Sequence, residues 1–138
     1  MIKKLIDIDL PNKGTFPSLL ERFDHLCHLR HAAVHAHGSI GTANAAALGV
    51  AKVGARLSLD INLPRVHESA MICRSVVQEL NQFLFIKTFY RWRDGGLLAR
   101  DYSLDRERFT KLYNLFRSMR DPSSKNMQPK MAYAALLK

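Results

Sequence analysis

Five of the six histidines, His25, His28, His31, His35 and His37, fall within thirteen residues of one another. Imidazole titrates near neutral pH, so such a cluster invites either metal ligation or proton transfer. His28, His31 and His35 recur at i, i+3 and i+7, one face of a helix, and His31 and His35 have the i, i+4 spacing of helical zinc ligands. The stronger form of that motif carries a Glu beside its first histidine, where this chain has Ala32, and no Cys-x-x-Cys pair completes a site. No metal or other cofactor is therefore expected. The second chemistry is acid–base catalysis on RNA, whose own 2′-hydroxyl is the nucleophile. Such a site needs a group to move protons, for which histidine is suited. It also needs a fixed cation for the phosphorane, for which the planar guanidinium of arginine is suited. Arg30, four residues and then His35 provide both types. On an ideal helix the two point about 140° apart, so a joint site must lie at the helix end or be shared with a second chain. The plain alternative is a set of surface or interface histidines on a small helix.

The element carrying these residues is a helix over roughly 16–37. Thr15 is its expected N-cap, Pro17 lies in its first turn and Gly38 stops it. Phe16, Leu19, Leu20, Phe23, Leu26, Leu29, Ala33 and Val34 give it an apolar face. A short helix is expected at 43–48. Ala55, Leu57, Leu59, Ile61 and Leu63 then alternate with polar residues, which predicts a strand over about 55–63. Residues 2–10 or a symmetry mate are its candidate partners. A long helix is predicted over 65–93, with Val66, Ala70, Cys73, Val77, Leu80 and Leu84 as its main stripe and Ile72, Val76, Phe83 and Ile86 widening it. The next helix starts from Ser103 as N-cap, with Asp105 and Glu107 favouring its dipole and Phe109, Leu112, Tyr113, Phe116 and Met119 facing the core. Asp121-Pro122-Ser123-Ser124 reads as a loop, and a last helix is expected over about 129–137.

A chain of 138 residues with 47% hydrophobic and 24% charged residues fits one globular domain and argues against disorder. The expected division is an arm at 1–14, a helical core at 15–95 and a basic extension at 96–138. No apolar run in the helical region, Phe83 to Ile86 included, approaches the length of a membrane span, and Asp7 and Asp9 interrupt any signal-peptide h-region. Cys27 and Cys73 are the only cysteines, which fits a reducing cytoplasm, and both fall on apolar helical stripes, where inert core positions are expected. The formal net charge is +9, and from Lys87 to Lys138 twelve Lys/Arg stand against five Asp/Glu. A cationic half-chain attracts polyanions, nucleic acid above all. Trp92, with Phe89 and Tyr90, stands beside Arg91 and Arg93 and could stack bases, although such aromatics are more often core.

The segment Leu29-Arg30-His31-Ala32-Ala33-Val34-His35-Ala36-His37-Gly38 resembles the signature of the HEPN superfamily, closest to the RiboL-PSP-type domains of bacterial toxin and defence proteins. Downstream, Val53-Gly54-Ala55-Arg56-Leu57-Ser58-Leu59-Asp60 and the helix from Val66 are similar to further features of those domains, so the likeness covers about residues 16 to 90. The resemblance implies a mainly α, HEPN-like helical bundle with a short strand or hairpin. It also implies a metal-independent endoribonuclease working as a homodimer whose cleft is lined by both chains. Arg30 would stabilise charge, His35 would act as general acid/base and His31 would orient or bind phosphate. Arg91, Arg93, Trp92 and His37 are the candidate RNA-binding residues.

Family members usually carry further helices ahead of the signature helix, whereas about fifteen residues precede it here. The alternative function is accordingly a non-catalytic binding or dimerisation subunit, with an antitoxin or partner chain completing the bundle. A third reading is a DNA-binding regulator, since a strand followed by two helices is similar to ribbon-helix-helix proteins. Its reading face would be Arg56, Ser58, Asp60 and Asn62, with one cation and one acid.

Overall fold

Proline and glycine set most of the helix boundaries. The computed structural model describes residues 9–50, 57–118 and 127–138. These are mainly helical: α1 (Phe16–His35), α2 (Thr42–Ala47), α3 (Leu63–Asp94), α4 (Tyr102–Phe116) and α5 (Pro129–Leu136). The expected helices are all present, with ends shifted by a residue or two. Met1–Gln78 and Glu79–Lys138 form two compact units, and the division falls inside α3.

In the first unit α1 packs against α2. Thr15 occupies the N-cap of α1 but its side chain makes no capping bond. Its carbonyl accepts from the Ser18 hydroxyl at 2.9 Å and from the Leu19 amide at 3.1 Å. The strand expected at 55–63 is not formed by the described residues 57–63. They make one antiparallel bridge, Ser39 to Ser58, and its partner is the loop after α1. The Ile40 amide donates to the Leu57 carbonyl at 2.9 Å and the Leu59 amide to that of Gly38 at 2.8 Å. The helix takes the rest of the segment. Asn62 accepts from the Arg65 amide at 3.1 Å, a side-chain cap that starts α3 at Leu63 and leaves Pro64 in its first turn. Residues 1–8, 53–56 and Met119, and the loop 121–124, lie outside the described residues.

The core-facing side of α3 also differs from expectation. Within the first unit Ile72 and Val76 are buried, whereas Val66 and Val77 are exposed and so are both cysteines. Both stripes are apolar, and each is wide enough to serve. The neighbours decide which is used.

The second unit packs the end of α3 against α4 and α5 around Phe89, Leu98, Phe109, Leu112, Tyr113, Ala132 and Tyr133. The aromatic rings meet mostly edge to face, as Phe109 and Tyr133 do at 4.9 Å between centroids. Phe89 is fully buried here, which excludes it from base stacking. The N-cap of α4 is Asp101 and not Ser103: the Asp101 carboxylate accepts from the Ser103 amide at 2.8 Å and from its hydroxyl at 2.6 Å. The hydroxyl first, and then the amide, hold the Asp101 carboxyl below its ordinary value of 3.8. The cap thus operates above that pH and is lost as acid protonates the carboxylate.

Asp105, expected to favour the helix dipole, is buried at 2% exposure. Its carboxylate accepts from the Ala99 amide at 2.8 Å, the Arg100 amide at 3.0 Å and the Tyr133 hydroxyl. It therefore ties the 97–100 loop, where Arg100 adopts a left-handed φ of 63°, to α4 and α5. Burial, and then the bond to Asp105, push the Tyr133 hydroxyl well above its ordinary value of 10.0. A raised folded-state value means that the stabilisation is complete below pH 10.0 and is lost as pH rises beyond it. Alkaline unfolding followed by circular dichroism should accordingly begin above about pH 10, and Tyr133→Phe should flatten that limb. An unchanged alkaline limb in the variant would exclude this linkage.

Candidate functional site at the end of the first helix

The C-terminal turn of α1 closes on backbone that glycine makes accessible. The amides of Ala36 and Gly38 both donate to the Ala32 carbonyl, at 3.1 and 3.0 Å. His37 and Gly38 have φ of 49° and 82°, both left-handed. A Cβ at Gly38 would meet nothing within 4 Å, so a substitution there is opposed by backbone strain alone. Gly38→Ala should cost about 1–2 kcal/mol, read as a lowered urea midpoint. A cost near zero would mean that the turn relaxes.

On this turn the imidazoles of His31 and His35 lie against each other, with centroids 4.8 Å apart and planes tilted by 43°. Both residues are exposed, as is His37 beyond them. His28 shares their face in sequence but its ring is engaged elsewhere. Nδ1 is 3.1 Å from Oδ1 of Asn44 on α2, and Nε2 is 3.6 Å from the Asp24 carboxylate one turn back. Asn44 is a contact that the spacing of the histidines could not have announced. Among the described residues no three His, Cys, Asp or Glu side chains converge to hold a metal ion.

Arg30 is also exposed but belongs to another face. With Phe23, Leu26, Cys27 and Ala33 it lines a cleft of about 470 Å³ whose far wall is Leu59, Asp60, Ile61, Arg65, Val66, Ser69 and Cys73. His31 and His35 do not line it. One chain therefore brings the two imidazoles together and leaves Arg30 apart from them, as the helical angle requires. The cleft was missed in the sequence, although a signal was present. Arg30 falls seven residues after Phe23, within an apolar stripe where a cation has no structural reason to be. Cys27 and Cys73, expected as core, are exposed on its walls.

The other candidate residues belong to the second unit. Arg91 is exposed near the end of α3. Arg93 is engaged, paired with Asp94 at 2.8 Å and lying over the Tyr90 ring at 4.5 Å. Trp92 is half-buried against the aromatic core, and part of it lines a shallow cleft with Leu97, Arg108 and Lys111. Arg108 and Lys111 thus stand beside the indole, a juxtaposition that their separation in sequence conceals.

None of the described helices is long and apolar enough to cross a membrane. No known family's sequence model, no curated protein and no solved structure matches the chain.

Proposed function

We propose that the chain is a metal-independent endoribonuclease of the HEPN toxin or defence type, acting as a homodimer. The observation that carries this reading is the exposed His31–His35 ring pair at the end of α1, five residues from Arg30 at its far member. His35 takes the proton from the RNA 2′-hydroxyl as that oxygen attacks the adjacent phosphate. The 5′-oxygen leaves with a proton from an imidazole, and the product ends are a 2′,3′-cyclic phosphate and a 5′-hydroxyl. Arg30 of one protomer neutralises the phosphorane, and His31 holds the phosphate or orients its neighbour. A dimer supplies what one helix cannot, since Arg30 and His35 diverge on it. The net charge of +9 favours RNA as the partner, and His37, Arg91, Arg93 and Trp92 are the proposed contacts along it.

The proposal is tested by incubating the purified protein with mixed cellular RNA in excess EDTA and analysing the ends. Cutting that leaves cyclic phosphates is the expected result. No cutting by a folded dimer would exclude it and favour the second reading, a non-catalytic subunit that binds a partner chain. The observation behind that reading is the exposure of Val34, Ile61, Leu63, Val66, Met71 and Val77 in the first unit, apolar side chains that a partner chain would cover. The DNA-reading alternative draws no support from the described residues 57–63, which form a single bridge and a helix start.

A further inference from the structure

The cleft beside α1 has a chemistry of its own. Its volume of about 470 Å³ lies in the range of roughly 300–1,000 Å³ common for small-ligand sites. Such sites are mostly apolar, with a few polar groups that fix orientation. Phe23, Leu26, Leu29, Ile61 and Val66 supply the apolar wall. Among the described residues two arginines line it, and they are not equivalent. Arg65 is already neutralised: it lies 3.3 Å from the Asp60 carboxylate and donates to the Asp60 carbonyl at 2.9 Å. Arg30 has no ion-pair or hydrogen-bond partner among the described residues. The described lining therefore presents one uncompensated positive charge, on Arg30, beside an aliphatic surface. A long apolar tail ending in a single negative charge complements both. A carboxylate fits the planar guanidinium fork. A dianionic phosphate would bring a second charge towards Asp60.

We propose that this cleft binds an aliphatic monocarboxylate, its chain against the walls from α1 and the start of α3 and its carboxylate on Arg30. The site shares Arg30 with the proposed RNA cleavage, and its test reads thiol protection and not cleavage.

The chain's two cysteines, Cys27 and Cys73, are exposed on opposite walls of the cleft and report its occupancy directly. The full-length protein is alkylated with iodoacetamide, and each thiol is followed by peptide mass spectrometry in the presence of sodium octanoate or 1-octanol. Octanoate at ten times its dissociation constant should slow both thiols about tenfold. Octanol lacks the charge and should need about tenfold more for the same protection, as should octanoate on Arg30→Gln. Arg30→Lys should regain part of the loss. Because Arg30 is exposed, these variants should keep the wild-type circular dichroism, which is checked alongside. Equal protection by octanol, or undiminished protection in Arg30→Gln, would reduce the cleft to a non-specific apolar surface and overturn the proposal. So would the absence of protection. Thiols already unreactive without ligand would mean that the chain's own residues fill the cleft. Protection that grows with protein concentration alone would assign it to a second copy. Either result would also overturn the proposal.

Discussion

Asp105→Ala should lower the stability of the second unit by about 2–4 kcal/mol, the loss of three hydrogen bonds to one buried carboxyl at about 0.5–1.5 kcal/mol each. The loss has identifiable sources. The amides of Ala99 and Arg100 and the hydroxyl of Tyr133 all donate to this one carboxylate. Without it the buried Tyr133 hydroxyl is left unsatisfied, at about 1–3 kcal/mol, while the amides of the exposed Ala99 and Arg100 lose only a net bond each. The bond also holds Arg100 in its left-handed conformation, so the 97–100 loop loses its anchor. The chain's single tryptophan, Trp92, packs against this core and reports its unfolding in urea. Asp105→Asn retains one acceptor oxygen and should fall between wild type and Ala. Tyr133→Phe removes one donor of the three and should cost about 1 kcal/mol. A loss below 1 kcal/mol in Asp105→Ala would show that water or a loop shift satisfies the donors. The network would then be incidental to the fold.

His35→Ala should reduce RNA cleavage by about 10²–10⁴-fold, the usual contribution of a positioned general acid or base. Arg30→Ala should reduce it by about 10²–10³-fold, comparable to the removal of one transition-state donor. Neither change should disturb folding, because both side chains are exposed, and the contact His35 makes is the ring of His31. His31→Ala should have a smaller effect if that ring orients its neighbour. A mixed dimer of Arg30→Ala and His35→Ala chains provides the sharper measurement. If each Arg–His pair in the shared cleft draws Arg30 from one protomer and His35 from the other, one of the two pairs is intact, and the mixture recovers activity that neither variant has alone. Full activity in His35→Ala would remove the ribonuclease proposal. Loss of activity in both variants without recovery in the mixture would leave a site within one chain and refute the shared cleft.

Local signals carried the helices. Pro17 near one end and Gly38 at the other bracket α1, and Asp94-Gly95-Gly96 stops α3, because proline and glycine act on the backbone wherever the rest of the chain lies. The face of α4 bearing Phe109, Leu112 and Tyr113 was equally legible, since its apolar residues have no competing stripe. The spacing of His31 and His35 was sufficient to bring their rings together, as any i, i+4 pair on a helix is.

What depended on distant residues could not be read this way. The alternation from Leu57 to Leu63 specifies a strand only if a ladder is available, and the partner within this chain offers one bridge before the Asn62 cap takes over. Of the broad apolar face expected on α3, Ile72 and Val76 are buried and Val66 and Cys73 exposed, because neighbouring segments choose which part of it is covered. Asp105 is polar by type and sits in a first turn, so local reasoning assigns it to the surface. Its burial follows from Tyr133, twenty-eight residues later, and from the loop before α4 turning its amides inward. Arg30 and His35 were selected by their chemistry and order in the sequence. The cleft around Arg30 exists only because Leu59, Ile61 and Cys73 return to face it. Backbone preference and helical periodicity act over a few residues and were determined by the sequence alone. Burial, polar pairing and cavity shape are properties of which segments meet, and only the tertiary structure decided them.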